Sequence, residues 1–255
     1  MPWIKKYRPK KCSEIESQNE AVAKIKEFIL NYKKAKKKAM IIHGPTGCGK
    51  TCSIYAIAND LDYEILEINA SDLRNKEAIN TVVGSASKQM SLFSKGKIIL
   101  VDEIDGVAGR EDYGGIAALA GVLQDSSHPI IMTCNDPYGK NLSSIRSKSI
   151  VVEFNTLTSN SIFNVLKCMA QKENLSYDDL ALKSLASRSG GDMRAAINDL
   201  QTLSSEKKLT MEFVDEISER EKKESIINAI TKIMKTTDPK LAVASFDNVQ
   251  EDLNE

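Results

Sequence analysis

Residues Gly44 to Thr51 read GPTGCGKT, a G-x-x-x-x-G-K-[ST] spacing in which each residue type has a chemical use. Gly44, Gly47 and Gly49 let successive backbone N–H groups converge on phosphate oxygens, with Pro45, Thr46 and Cys48 completing the loop. Lys50 is placed to reach the β- and γ-phosphates, the Thr51 hydroxyl to ligate Mg²⁺ at a helix N-terminus, and Cys52 to follow in the first helical turn. The motif therefore points to ATP and Mg²⁺ as cofactors. About 50 residues later comes IILVDEID. Asp102, at the end of an apolar run, is suited to hold the Mg²⁺ hydration shell, and Glu103 to polarise a water for in-line attack. Two acids ending a strand carry little weight alone; following a phosphate loop they form its second half. Asn135 ends the next apolar run, where its amide is in reach of the attacking water or the γ-phosphate, although a plain turn before Pro137 gives the same residue. Arg194, in GGDMRAAINDLQ, opens a helix from which it can close on the γ-phosphate; a surface arginine is the alternative. Lys50, Glu103, Asn135 and Arg194 are the catalytic candidates, Thr51 and Asp102 the metal ligands.

The elements that must hold these residues follow from periodicity. AVAKIKEFILNYKK sets Val22, Ile25, Phe28, Ile29 and Tyr32 at helical spacing. AMIIHGPTG reads as a short apolar strand running into a glycine turn, and KTCSIYAIANDL as the helix after it. YEILEINA alternates as a second strand, while KIILVDEID and PIIMTCND are continuous apolar runs suited to strands covered on both faces. Strands interleaved with helices imply an α/β fold with a parallel sheet and ligands at the strand C-terminal ends. After IVVEFNTL the β signal stops. Ile162, Val165, Leu166 and Met169 form one helical stripe and Met193, Ile197, Leu200 and Leu203 another, separated by SGGD. The expected organisation is a P-loop ATPase domain over 1–155, a small all-helical domain over 156–218, and over 219–255 a third helical segment, opened by Ile226, Ile227, Ile230 and Ile233 and cut short at the end of the chain.

Composition sets wider bounds. At 255 residues with 42% hydrophobic and 5% aromatic content, the chain suits a helix-rich α/β protein with a sizeable core. Net charge is zero, but residues 1–40 carry twelve Lys/Arg against four Glu, and residues 205–255 eight against twelve acids. The basic front is compatible with a polyanion, although KKAKKK (33–38) reads first as the solvated end of a helix. Cysteines 12, 48, 52, 134 and 168 form no CxxC pair, so no zinc site is readable, and Cys48 and Cys52, one helical turn apart, read as small fillers before a redox pair. With no leader and no apolar run of about 18 residues, a soluble protein of a reducing cytosol is expected, without a membrane partner.

Six segments in order, PWIKKYRPK, GPTGCGKT, EINASDLRNKEAI, ILVDEIDGV, TCND and SGGDMRAAINDLQ, resemble the AAA+ clamp-loader subunits of replication factor C. The likeness runs from Pro2 to about Leu203. DGVAGREDYGGIAALAGVLQDSSHPIIMTCNDPYGKNL is similar to the large-subunit type, in its archaeal form. The resemblance implies an AAA+ fold and ATP-driven loading of a ring-shaped sliding clamp onto primer–template DNA together with small subunits, in the cytoplasm at the nucleoid of a prokaryote or in a eukaryotic nucleus. It further implies that residues 156–218 are a lid and 219–255 the start of a helical collar, that Tyr7, Arg8 and Pro9 help enclose the adenine, and that Asn135 and Arg194 sense the nucleotide. Met90, Leu92 and Phe93, in SKQMSLFSKGK, resemble the apolar anchor pressed into the clamp, with a helix core as the other reading. One departure stands out: small subunits carry Ser-Arg-Cys where this chain has Ser147-Lys148-Ser149, so the arginine that enters a neighbour's site is missing, with Arg146 two positions early. The rival functions are another AAA+ remodeller, acting on Holliday junctions or proteins, and a low-turnover nucleotide-binding scaffold.

Overall fold

A computed structural model of the chain describes residues 1–69, 95–106, 115–204, 208–212 and 214. Five strands, β1 (Ala39–His43), β2 (Tyr63–Asn69), β3 (Gly96–Asp102), β4 (Ile130–Cys134) and β5 (Ser149–Glu153), form one parallel sheet in the order β2-β3-β4-β1-β5. Both β1 and β4 are buried along nearly their whole length, and β3 from Lys97 to Val101. This is why they read as unbroken apolar runs: each faces helices on both sides. The edge strand β2 is only half buried, which matches its alternating sequence.

Side chains leave the sheet with period 2. Ile41, Ile99, Val101 and Met132 point to one face, where α4 (Gly115–Asp125) and α5 (Ser143–Lys148) cover them through Ile116, Leu119, Leu123 and Ile145. Met40, Ile42, Ile98, Leu100 and Ile131 point to the other, against α2 (Asn19–Asn31) and α3 (Lys50–Leu61). Val22, Ile25, Phe28 and Ile29 of α2 are buried as their spacing predicts, and Tyr32 lies buried in the 3₁₀ turn that follows. The lysine run at 33–38 is exposed at its start, but the Lys37 and Lys38 amines bond the carbonyls of Ser149, Tyr32 and Lys33.

Beyond the sheet, α6 (Ser159–Lys172), α7 (Asp179–Arg188) and α8 (Met193–Leu203) pack around a second core of Ile162, Leu166, Leu182, Leu185, Ile197 and Leu200. Thr158, Asp178 and Asp192 cap their N-termini, each side-chain oxygen accepting from a backbone N–H of the first turn. A helices-only reading of this region omits one feature: β6 (Ser176–Tyr177) pairs in parallel with β7 (Lys208–Leu209). Two-residue strands are too short for periodicity to reveal. Trp3, in the short helix α1 (Trp3–Lys6), is buried in this second core although it opens the chain. Among the described residues no helix is long and apolar enough to cross a membrane. The anchor candidates Met90, Leu92 and Phe93 and the whole 219–255 segment lie outside the described residues.

Candidate nucleotide-phosphate site

The loop between β1 and α3 is shaped by positions no side chain fits. Gly44 has φ +150°, and a β-carbon there would lie 2.3 Å from the Phe154 carbonyl oxygen; Gly49 has φ +100° and starts α3. No side chain caps α3, unlike the three lid helices. Its first-turn N–H groups are therefore open to an anion, where the helix dipole adds positive potential. Lys50 Nζ donates to the carbonyls of Gly44 (2.7 Å) and Pro45 (2.9 Å) and to Asn135 Oδ1 (3.1 Å), placing the cation beside the loop at the C-terminal end of the sheet.

Next to it runs a chain of hydrogen bonds. Thr51 Oγ1 donates to Asp102, 3.0 Å from one carboxylate oxygen and 3.3 Å from the other. Thr133 Oγ1 donates to the same carboxylate and accepts from the Glu103 backbone N–H at 3.0 Å. Asp105 Oδ2 accepts from the Asn135 N–H at 2.9 Å. Glu103 is held at φ +59°, a left-handed conformation that costs a non-glycine residue on the order of 1–3 kcal/mol. The Thr133 bond and a turn closed by Gly106 N–H on the Glu103 carbonyl (3.0 Å) keep it there. Its side chain is exposed and lines, with Asp105, Gly106 and Asn135, a cavity of about 350 Å³. A hydroxyl and a carboxylate side by side are hard oxygen donors of the kind that suits Mg²⁺, and the glycine cradle suits phosphate, so the residues present fit both groups.

Burial governs the neighbouring thiols. Desolvation pushes Cys134, under the loop, up to about 12, with Asp105 adding to the rise and Lys50 opposing it. Cys48 and Cys52 are also raised by burial; Lys50 draws the first down, Arg8 and Arg194 the second. All five cysteines are free thiols, and no cluster of potential metal-binding side chains of the His/Cys/Asp/Glu kind occurs among the described residues.

The structure thus brings Lys50, Thr51, Asp102, Glu103 and Asn135 together. Arg194 is brought to the loop by α8, since the Met193 N–H donates to the Gly47 carbonyl at 3.3 Å. Tyr7 and Arg8 have partners elsewhere: the Tyr7 hydroxyl and the Lys6 amine bond Glu173 after α6, and the Arg8 guanidinium lies 3.5 Å over the Tyr55 ring on α3. Asn59 Nδ2 bonds the Lys10 carbonyl (2.8 Å) and Asp60 accepts from the Cys12 N–H (3.1 Å), so this N-terminal segment, Pro9 included, straps the lid to α3. Sequence reasoning missed Thr133, Asp105 and Gln18. Gln18, 3% exposed, donates to the carbonyls of Asn155 (2.7 Å) and Cys48 (3.4 Å) and accepts from the Asn155 N–H. Thr133, two residues before Asn135 in an otherwise apolar strand, carries no signal in the sequence that sets it apart from a β-branched filler.

A phosphate loop at the C-terminal end of β1, two acids at the C-terminal end of β3 with β4 between the two strands, and a helical lid reaching back to the loop define a P-loop ATPase of the AAA+ class. The chain belongs to the AAA+ family: the ATPase family associated with various cellular activities (AAA) matches residues 40–153, and the RCF1/5-like, AAA+ ATPase lid domain matches residues 164–205. Within it, the chain is 44% identical to the replication factor C large subunit of Nanoarchaeum equitans over 100% of its own length and 60% of that protein's. It is 38% identical to the same subunit of Methanococcus maripaludis strain C6, over 98% of this chain and 52% of the relative. The likeness drawn from the six segments is borne out, and the chain spans about half to three-fifths of the length of these curated relatives. Among solved structures, the Thermotoga maritima RuvB Holliday junction branch migration motor superposes with a TM-score of 0.61 at 21% identity, covering 83% of this chain and 72% of that one. At that identity the likeness shows the fold alone.

Proposed function

We propose that this chain is the ATP-hydrolysing part of a clamp-loader large subunit, which with small subunits opens a ring-shaped sliding clamp and leaves it closed on primer–template DNA. The observation that carries the ATPase is the hydrogen-bonded series Thr51–Asp102–Thr133–Glu103 beside the Lys50 amine, which ties the metal ligands and the base into one rigid unit. Lys50 and the α3 N-terminus hold phosphate charge, Asn135 orients, and Glu103 takes the proton of the attacking water. Bound Mg²⁺ would supply charge neutralisation of the phosphates at Thr51 and Asp102. Similarity to replication factor C large subunits over nearly the whole chain supports the choice of work over other AAA+ tasks.

In the same reading, residues 1–155 are the ATPase domain, 156–218 the lid and 219–255 the start of a collar. The working place is the cytoplasm at the nucleoid of a prokaryote, or the nucleus of a eukaryote, and Met90, Leu92 and Phe93 are clamp contacts. The chain receives an arginine from a neighbour and donates none. Lys148 Nζ is spent on the Ala120 carbonyl (2.8 Å), and Arg146 donates to the Pro137 carbonyl (2.7 Å) with its guanidinium 5.4 Å from the Tyr138 ring centre. The test is ATP binding and turnover with small subunits, clamp and primed DNA. Lys50→Ala should lose nucleotide binding, whereas Glu103→Gln should retain it and lose turnover. Unaltered turnover in Glu103→Gln, or no stimulation by clamp and primed DNA, would overturn the proposal.

A further inference from the structure

Gly47 is glycine for a reason outside its own loop. Its φ is +64°, and a β-carbon there would lie 1.8 Å from Asp192 Oδ1, 2.3 Å from Asp192 Cγ and 2.9 Å from Asp192 Cα. A carboxylate of the lid therefore occupies the space beside the phosphate loop that any side chain at 47 would need. The same oxygen accepts from the Arg194 N–H at 2.8 Å and the Ala195 N–H at 3.0 Å, and the next N–H, of Met193, reaches the Gly47 carbonyl. One atom thus contacts the loop and starts the helix that carries Arg194.

Capping alone does not account for this contact. Thr158 and Asp178 cap α6 and α7 with the same type of bond, and Ser, Thr, Asn and Asp are near-equivalent at such positions. What is particular to Asp192 is its seat against Gly47. The turn before it is built to the same tolerance: Gly191 has φ +93°, and a β-carbon there would lie 2.2 Å from Thr156 Cγ2. On the loop's other side Gln18 joins the Cys48 carbonyl to Asn155. Residues 47 and 48 are held by the lid turn and by the segment leading into the lid, and a shift of either displaces α8.

We infer that Asp192 is a positioning residue: seated against Gly47, it registers Arg194 against the phosphate loop, so that the lid reads the γ-phosphate rather than merely covering the nucleotide. This rests on the reading of Arg194 as the residue that closes on the γ-phosphate. The pull of Arg194 on the Cys52 thiol, in the first turn of α3, agrees with a guanidinium carried to that end of the loop.

The experiment compares binding of fluorescent ATP and ADP analogues, with Mg²⁺, to the whole chain and its variants. Asp192→Ser keeps a capping oxygen but is too short to fill the Gly47 seat, and it should lower the ratio of ATP to ADP affinity by roughly five- to tenfold. Asp192→Asn, of the same reach, should restore the ratio. In an Arg194→Ala background Asp192→Ser should add nothing, because it acts through that arginine. Melting curves of Asp192→Ser and Asp192→Asn, taken on the same preparations, separate a folding defect from a change in nucleotide selectivity. If Arg194→Ala leaves the ratio intact, the γ-phosphate reading falls and the inference with it. If Arg194→Ala lowers the ratio while Asp192→Ser does not, or the two losses add, registration by Asp192 is wrong and the reading of Arg194 stands. Parallel losses of ATP and ADP affinity would reduce Asp192 to a helix cap.

Discussion

Replacing Thr133 by valine changes one oxygen to a methyl group at a site 1% exposed, with little change of volume. Two bonds go with it: the donation to the Asp102 carboxylate and the acceptance from the Glu103 N–H at 3.0 Å. A hydrogen bond to a charged group is worth ~1.5–3 kcal/mol and an orphaned buried N–H costs ~1–3 kcal/mol, so a destabilisation of about 2–4 kcal/mol is expected after relaxation. At ~2–4 °C per kcal/mol for a chain of this size, the melting temperature should fall by roughly 5–15 °C. The catalytic effect should exceed the structural one. Glu103 is kept in its left-handed conformation by this bond and by the Gly106 turn, and losing one restraint lets its carboxylate drift. A misplacement of ~1 Å costs on the order of 10²-fold in rate. Steady-state ATPase of the assembled complex, with binding of a fluorescent ATP analogue to the same preparation, should show kcat falling about 100-fold while affinity stays within about threefold. Thr133→Ser, which keeps the oxygen, should recover most of the rate. Equal kcat for valine and threonine would refute the positioning argument, as would a loss of ATP affinity as large as the loss of kcat.

Lys148→Ala removes one bond to a carbonyl and should cost no more than ~1 kcal/mol of stability, with hydrolysis by the assembly within about twofold of unaltered; a collapse would show that Lys148 serves a neighbour's site. Native alkylation at pH 8 should find Cys168 first, because it is exposed, whereas Cys134, pushed up to about 12 by burial, should label only on unfolding. Stability gained by keeping that thiol neutral is complete below its ordinary value of 9.0 and is lost as pH rises from there towards about 12, visible as a falling melting temperature in alkali. The Glu173 carboxyl is held below its ordinary 4.5 by its bonds from Lys6 and then Tyr7, so the strap is stabilised above that pH and released as pH falls below it. Trp3, the chain's single tryptophan, should report the release as an acid red shift of its emission that Glu173→Gln abolishes; a shift unchanged in that variant would place the titrating group elsewhere.

Much of the molecule was legible because its signals are local. A phosphate loop needs glycines at fixed intervals before a lysine and a hydroxyl, so GPTGCGKT carries its chemistry in eight consecutive letters. Unbroken apolar runs for β1, β3 and β4, and alternation for β2, follow from how many faces of each strand are covered. Stripes of period 3.6 placed α2, α6 and α8 for the same reason. Thr133 was not legible, since a threonine in an apolar strand reads as a β-branched filler until parallel crossovers set β4 beside β3 and its hydroxyl lands between Asp102 and the Glu103 N–H. Tyr7 and Glu173 stand 166 positions apart, and nothing in either neighbourhood marks them as partners. Asp192 lies in the SGGD break and Gly47 in the phosphate loop, and nothing in either stretch marks them as partners; their contact exists only because the lid folds back over the C-terminal end of the sheet. Residue order encodes conformation and buried faces over a few positions; which distant polar groups meet depends on the crossovers and on the angle of one domain against another, and these arise from the packing of the whole chain.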